Sequence, residues 1–143
     1  MIVNAFAANK PGLRLEPFHY ELGALKPDEV DIDIEYCGIC RSDSHMLIND
    51  WSITRYPFVP GHEIIGKVSD IGSMVTHLKI GQRVGVGWRA RSCQTCFQCL
   101  SGHHNRCPNG EDVIVGRHGG FADKIRCQGL WAFPLPDNLD YKS

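Results

Sequence analysis

The stretch "VDIDIEYCGICRSDSH", residues Val30 to His45, decides how the rest of this chain is read. Its first seven residues alternate strictly. Val30, Ile32, Ile34 and Tyr36 share one face, while Asp31, Asp33 and Glu35 share the other. That period of two predicts a half-buried β-strand. The strand runs straight into Cys37, Cys40, Ser42, Asp43, Ser44 and His45. Cys37 and Cys40 have the C-x-x-C form of a redox couple or of half a metal site. "SDSHMLIND" (Ser42 to Asp50) predicts a short helix, with Ser42 or Asp43 at its N-cap and Asn49-Asp50 closing it.

Outward from this stretch, punctuated short strands dominate. "YPFVPG" carries two prolines and a glycine and predicts an extended loop. "EIIGKVSDIG" and "GQRVGVGW" predict strands interrupted by glycine, hence bends or bulges in a curved sheet. "GGFADKIRC" and "GLWAFPLP" predict the final strands, and "PDNLDYKS" the start of a helix capped at Asn138 or Asp140. The pattern predicts a mainly β, barrel-like domain with short helices.

Composition sets the outer limits. The 143 residues fit one domain (1–143), and 43% hydrophobic with 22% charged residues is ordinary for a globular protein. Fifteen basic against sixteen acidic side chains imply neither a nucleic-acid nor a membrane partner. The start "MIVNAFAANK" lacks the build of a secretory signal and no apolar run reaches spanning length, so a cytoplasmic location is expected. Seven cysteines, an odd number, then argue for metal ligation over a disulfide framework.

Four of them cluster. "SCQTCFQCLSGHHNRC" places Cys93, Cys96, Cys99 and Cys107 in the spacing C-x2-C-x2-C-x7-C. Four thiolates on one short loop match a closed tetrahedral zinc site. The loop is too poor in apolar residues to order itself by packing. Metal binding supplies that order, at about 10–16 kcal/mol in small zinc peptides. An iron–sulfur cluster in an electron-transfer protein is the rival reading, because the run ends Cys107-Pro108. Against it, the last spacer is seven residues where bacterial ferredoxins have about three. His103 and His104 are expected to be solvated. Cys40, His62 and Glu63 form a sparser second constellation, with twenty-one residues between the cysteine and the histidine. Mixed sulfur, nitrogen and carboxylate ligation suits a catalytic zinc with an open position. Asp43 is placed to fix the His62 tautomer. A lone histidine beside a glutamate is more often structural, so the residues alone leave this site open.

Taken together these motifs resemble the zinc-containing alcohol dehydrogenase family. "GHEIIGKVSDIGSMV" (Gly61 to Val75) fits the family signature G-H-E-x2-G-x5-G-x2-V. "CGICRSD" resembles its first catalytic-zinc segment, and the four-cysteine loop resembles its structural-zinc lobe. "YPFVPGHE", "GQRVGVGWRARSC" and "GGFADK" are most similar to the cinnamyl-alcohol-dehydrogenase-type branch, especially its bacterial broad-range aldehyde reductases. The resemblance implies a GroES-like, partly open β-barrel with a four-cysteine zinc lobe. It implies catalytic zinc on Cys40, His62 and, as an occasional ligand, Glu63, with structural zinc on Cys93, Cys96, Cys99 and Cys107. The implied activity interconverts small primary alcohols and aldehydes using NAD(P)(H), NADP being favoured. Ser42 and His45 would form a proton relay beside Asp43, and Trp51 and Trp88 would wall the substrate pocket. Arg41, where the branch commonly has histidine, would contact cofactor phosphate. Cys37 and Cys127 are then packing residues, and His19, His77 and His118 surface residues.

The resemblance covers only the family's N-terminal catalytic domain. The third zinc ligand and the Rossmann cofactor domain would lie beyond residue 143, and "GVGWRA" is no G-x-G-x-x-G fingerprint. The expectation is a catalytic-domain fragment, inactive alone, of a protein that forms homodimers or homotetramers. A free-standing structural zinc module is the alternative from another class.

Overall fold

A computed structural model describes residues 1–136, 138 and 139. β1 (Ile2–Ala7) and β2 (Glu16–Glu21) form an antiparallel ribbon. The main sheet contains β3 (Glu29–Gly38), β4 (Glu63–Ile71), β5 (Arg83–Val86), β8 (Lys124–Gln128) and β9 (Phe133–Pro134), in the order β8-β3-β4-β5-β9, all antiparallel. β6 (Arg89–Arg91) and β7 (Glu111–Asp112) form a small third sheet. The helices are α1 (Arg41–Leu47) and α2 (Phe97–Leu100). The ribbon is stitched to the segment entering β8 by Phe6 N–H to Phe121 O and Asp123 N–H to Asn4 O, both 2.9 Å. The result is the mainly β, partly closed barrel that the strand pattern predicts.

The core lies between the curved main sheet and α1. Val30, Ile32, Ile64, Val68, Val84, Val86 and Ile125 point into it from the strands, and Met46, Phe58, Val113 and Ile114 cover them. Burial of each such side chain contributes about 1.5–3 kcal/mol, which is the main force fixing the strand register.

Several expectations need correction. The alternation of β3 fails at both ends. Asp31, assigned to the polar face, is 4% exposed, because Arg126 reaches it across β8 with two bonds of 2.7 and 2.9 Å. Tyr36, assigned to the apolar face, is 44% exposed. The pairing with β4 steps from Ile34–Gly66 to Tyr36–Ile65, so Glu35 is an extra residue and the faces exchange beyond it. A second irregularity falls opposite Asp31–Ile32. "GQRVGVGW" is not one strand: pairing stops at Val86, and the chain turns at Gly87-Trp88 into β6 of another sheet. "GGFADKIRC" is strand only from Lys124, and "GLWAFPLP" is a 3-10 turn (Gly129–Trp131) followed by β9. The ribbon β1–β2 was not anticipated from its weak periodicity. The helix expected in "PDNLDYKS" lies largely outside the described residues.

Candidate metal centres

The chain passes from β3 into α1, which is capped two to three residues earlier than its sequence indicates. Its N-cap is Cys40, in extended conformation, not Ser42 or Asp43. Asp43 instead sits at the third helical position. Its carboxylate accepts from the Cys40 backbone N–H at 3.0 Å, and the Asp43 N–H bonds back to Cys40 O at 3.1 Å. The helix ends near Ile48, ahead of the predicted Asn49-Asp50 stop, and Asn49 takes a left-handed φ of 60°.

Asp43 is the hub of the sparser constellation. Its side chain is buried, and Oδ1 accepts from the Gly61 N–H at 2.8 Å and meets His62 Nδ1 at 3.2 Å. One carboxylate therefore ties the helix start to the "PGHE" loop. With Nδ1 held by Asp43, His62 presents Nε2 as its ligand atom. The ligand atoms of Cys40, His62 and Glu63 lie within 4.8 Å of one another. One sulfur, one imidazole nitrogen and one carboxylate at that separation fit a single zinc with a position left open.

Glycine makes the approach possible. Gly61 has φ +100°, and a Cβ there would meet Cys37 Sγ at 2.7 Å and the Phe121 backbone N at 2.9 Å. At Gly38 a Cβ would meet Glu63 Oε2 at 2.4 Å, so the carboxylate occupies the space that a side chain would fill. Cys37 itself is partly buried against the core, and burial pushes its thiol up to about 11. It packs against the core, as expected. An apolar groove of about 570 Å³ opens beside Glu63, floored by Gly38 and Gly85 and flanked by Tyr36 and Phe133.

Around the constellation, Ser42 Oγ lies 3.8 Å from Cys40 Sγ. His45 Nδ1 lies 2.6 Å from Asp50 Oδ2, and its Nε2 accepts from Arg41 Nε at 3.3 Å. Asp50 was missed in the sequence, where it reads only as a helix stop. Its spacing of five residues from His45 gives no helical-face signal, and the turn at Asn49 brings it back. Trp51 stacks on His45 (5.5 Å, 21°) and meets Trp88 edge-on (6.3 Å, 62°). Trp88 in turn stands edge-on to His62 (5.0 Å, 78°) while packing against the core. An aromatic wall thus runs from one histidine of the site to the other.

The four-cysteine loop is a separate centre. All four sulfurs lie within 4.8 Å of one another, with Cys96–Cys99 at 3.5 Å and Cys96–Cys107 at 3.9 Å. A zinc tetrahedron with Zn–S of about 2.3 Å has sulfur–sulfur edges of about 3.8 Å, so the donors fit one ion. The backbone N–H of Cys93 points at Cys107 Sγ (3.3 Å) and that of Cys96 at Cys93 Sγ (3.4 Å). Backbone donors from Thr95 and Cys96 pull Cys93 down to about 6, whereas desolvation holds Cys99 near 12. Phe97 and Leu100 on α2 are 79% and 77% exposed, so the lobe has almost no core of its own. It is anchored by polar contacts instead: Arg91 to Asp28 (2.8 Å) and Glu29 (3.1 Å), and the Ser92 N–H to Gln128 Oε1 (3.1 Å).

Two histidine expectations change here. His104 is half-buried, with Nδ1 at 3.2 Å from Ser92 Oγ. His118 is half-buried against Phe18 and Tyr20, and burial lowers its pKa. His19 and His103 are exposed as expected. His77 is exposed too, although its ring reaches Gly129 O at 3.1 Å. Cys127 is fully buried, its thiol pushed up to about 12 by desolvation.

A partly open β-barrel holding one closed four-thiolate cluster and one mixed sulfur–nitrogen–carboxylate cluster defines a GroES-like catalytic domain. The alcohol dehydrogenase GroES-like domain matches residues 26–137, and the chain belongs to that family. Aldehyde reductase AdhA of Synechocystis sp. is 45% identical over 142 residues, covering 99% of this chain and 42% of that protein. Among solved structures, a cinnamyl alcohol dehydrogenase from Sorghum bicolor superposes with a TM-score of 0.92 at 33% identity, over 98% of this chain and 42% of that one. A CAD from Helicobacter pylori, complexed with NADP(H), gives 0.90 at 29% identity, over 96% and 42%. The chain thus spans about two fifths of the length of these relatives.

Proposed function

We propose that this chain is the catalytic-domain portion of a zinc-dependent oxidoreductase that interconverts small primary alcohols and aldehydes with NAD(P)(H). The observation that carries the reading is the meeting of Cys40, His62 and Glu63 around one point, braced by buried Asp43. Zinc held by Cys40 and His62 would supply Lewis acidity at the substrate oxygen, and a nicotinamide dinucleotide would supply or take up the hydride. The chain's own residues do the rest. Asp43 orients His62, and Glu63, seated over Gly38, tunes the charge at the ligand cluster. Ser42 carries the substrate hydroxyl proton toward His45, whose other nitrogen faces Asp50 and, beyond it, solvent. Trp51 and Trp88 narrow the approach to the site and exclude water from it. Arg41, exposed on the first turn of α1, offers guanidinium donors to a cofactor phosphate. The NADP(H) held by the Helicobacter pylori relative supports NADP as the dinucleotide. The four-thiolate lobe is a structural zinc site, and the compact sulfur set supports a single ion over a multi-iron cluster.

Two measurements test this. The 143-residue chain is expected to bind one zinc tightly, at the lobe, and to show no NAD(P)H turnover. A longer protein carrying this domain is expected to reduce aldehydes, and Cys40→Ser should abolish that turnover while the lobe keeps its metal. Full activity in the Cys40→Ser protein would sink the assignment. A brown preparation containing iron would favour the electron-transfer reading.

A further inference from the structure

One stretch of chain, residues 54–62, grips α1 at both ends. At the helix start, Asp43 Oδ1 accepts from the Gly61 N–H at 2.8 Å and meets His62 Nδ1 at 3.2 Å. At the helix end, the Thr54 hydroxyl donates to Met46 O at 2.7 Å and the Tyr56 hydroxyl to Leu47 O at 2.8 Å. The last carbonyls of a helix lack partners within it, so donors from outside decide how that end is held. Each of these two carbonyls also takes one backbone N–H, from Asn49 at 3.1 Å and from Gly12 at 3.0 Å. The gripping stretch is itself fastened to the body of the fold. Phe58 and Ala8 exchange two backbone bonds of 2.8 Å, and the carbonyls of Val59, Pro60 and Gly61 accept from Gly119, Phe121 and Gly120. Phe58, Val59 and Pro60 are buried. Residues 54–62 are therefore a frame that carries His62, while α1 carries Cys40 at its N-cap.

The two grips do different things. An anchor at Asp43 alone fixes where α1 starts and leaves the helix free to swing about that point. A second anchor at Met46 and Leu47, about 5 Å further along at roughly 1.5 Å per residue, fixes its direction. Cys40 turns with the helix, because its own N–H is bonded to Asp43 Oδ2 at 3.0 Å. A swing of the far end thus turns the Cys40 thiol relative to the His62 ring, and metal–ligand distances tolerate only about 0.2 Å. We infer that Thr54 and Tyr56 are positioning residues for the candidate metal site, acting through the direction of α1 to set the spacing of Cys40 and His62. This rests on the reading of Cys40 and His62 as ligands of one metal. Both hydroxyls bond at the helix end opposite the ligand cluster, so their role is separate from any contact with metal or substrate.

The test reads the metal directly. In the longer protein, with cobalt(II) at the Cys40–His62–Glu63 cluster and zinc in the lobe, the thiolate-to-cobalt and ligand-field bands report the geometry at Cys40. Tyr56→Phe and Thr54→Val, which remove only the hydroxyl donors, should shift these bands. Chelator competition should show affinity at this site down about 3–10-fold, less than the roughly 10–100-fold seen when the direct support of a ligand is lost. Affinity at the lobe should not change. Thr54→Ser, which keeps the hydroxyl, should behave as wild type. Ile125→Val, a core truncation on β8, should lower overall stability and leave the bands in place. Wild-type bands and affinity in both Tyr56→Phe and Thr54→Val would overturn the inference. An equal shift in Ile125→Val would overturn it too, by tracing the effect to global stability. Cobalt bands that survive Cys40→Ser would instead sink the reading of the site itself.

Discussion

At the scale of single residues, Asp43 carries more of the site than either candidate metal ligand it braces. It accepts from two backbone N–H groups and meets the His62 ring; the Gly61 and His62 contacts are buried, and that with Cys40 is partly so. Asp43→Ala orphans buried donors at about 1–3 kcal/mol each and frees His62 to turn. Equilibrium denaturation should show a loss of at least about 2 kcal/mol. Chelator competition in the longer protein should show catalytic-zinc affinity down about 10–100-fold. Unchanged affinity would mean that His62 is oriented by something other than this carboxylate. Gly38 permits a second, sharper test. The Cβ of Gly38→Ala would fall 2.4 Å from Glu63 Oε2, so the carboxylate must leave the ligand cluster. The variant should fold while behaving like Glu63→Gln in metal affinity. Retention of a Glu63 effect in the Gly38→Ala background would contradict the geometry.

At the scale of elements, the join of β3 to β8 is held by charge as well as by the ladder. Arg126 grips Asp31 with two bonds and caps Gly23 O (2.8 Å) and Ala24 O (3.1 Å), tying the chain before β3 to the sheet. Arg126→Met leaves the Asp31 charge buried and alone, and breaking such a pair costs about 3–5 kcal/mol. The accompanying change Asp31→Leu should recover much of that loss, and no recovery would place the cost in the Gly23 and Ala24 caps. On the ribbon side, His118 packs on Phe18 and Tyr20 with Nδ1 buried and without a partner among the described residues. Burial lowers its folded-state pKa below the ordinary 6.5, so in acid the unfolded chain binds the proton more readily than the folded one. Stability should therefore fall as pH drops through about 6.5, and level off once the folded-state value is passed. Denaturation midpoints between pH 7 and pH 5 should show this slope reduced in His118→Phe. An unchanged slope assigns the acid sensitivity elsewhere.

At the scale of the whole molecule, the sheet and the metal lobe are stabilised by different forces. The sheet is packed around a continuous apolar core, whereas residues 92–109 gather four cysteine sulfurs and rest on a few polar anchors. Stripping zinc with a strong chelator should release amide protection across the lobe first and leave β3, β4 and β5 protected. The zinc-loaded protein should lose its metal more readily as pH falls, because protons compete for the sulfur ligands. Global unfolding at the moment of metal removal would show that the lobe is integral to the core.

How much of this was legible depends on the range of the interaction concerned. Residues near in sequence, or in a fixed spacing, carried their meaning openly. The alternation of β3, the x2-x2-x7 cysteine spacing, and the "PGHE" and "CGIC" segments yielded the fold class, the thiolate cluster and the candidate ligands. Hydrophobic period and ligand spacing are local properties, so a linear text records them. What the sequence could not show was set by contacts across the fold. Burial of Asp31 needed Arg126 from 95 residues away. The exchange of faces at Glu35 came from a register step against β4. The N-cap passed to Cys40 because Asp43 was drawn inward to Gly61 and His62. Of "CGICRSDSH", the sequence determined which atoms are available for chemistry. The tertiary structure decided which partner each one faces, because a buried polar group goes to whichever donor or acceptor the packing brings within reach.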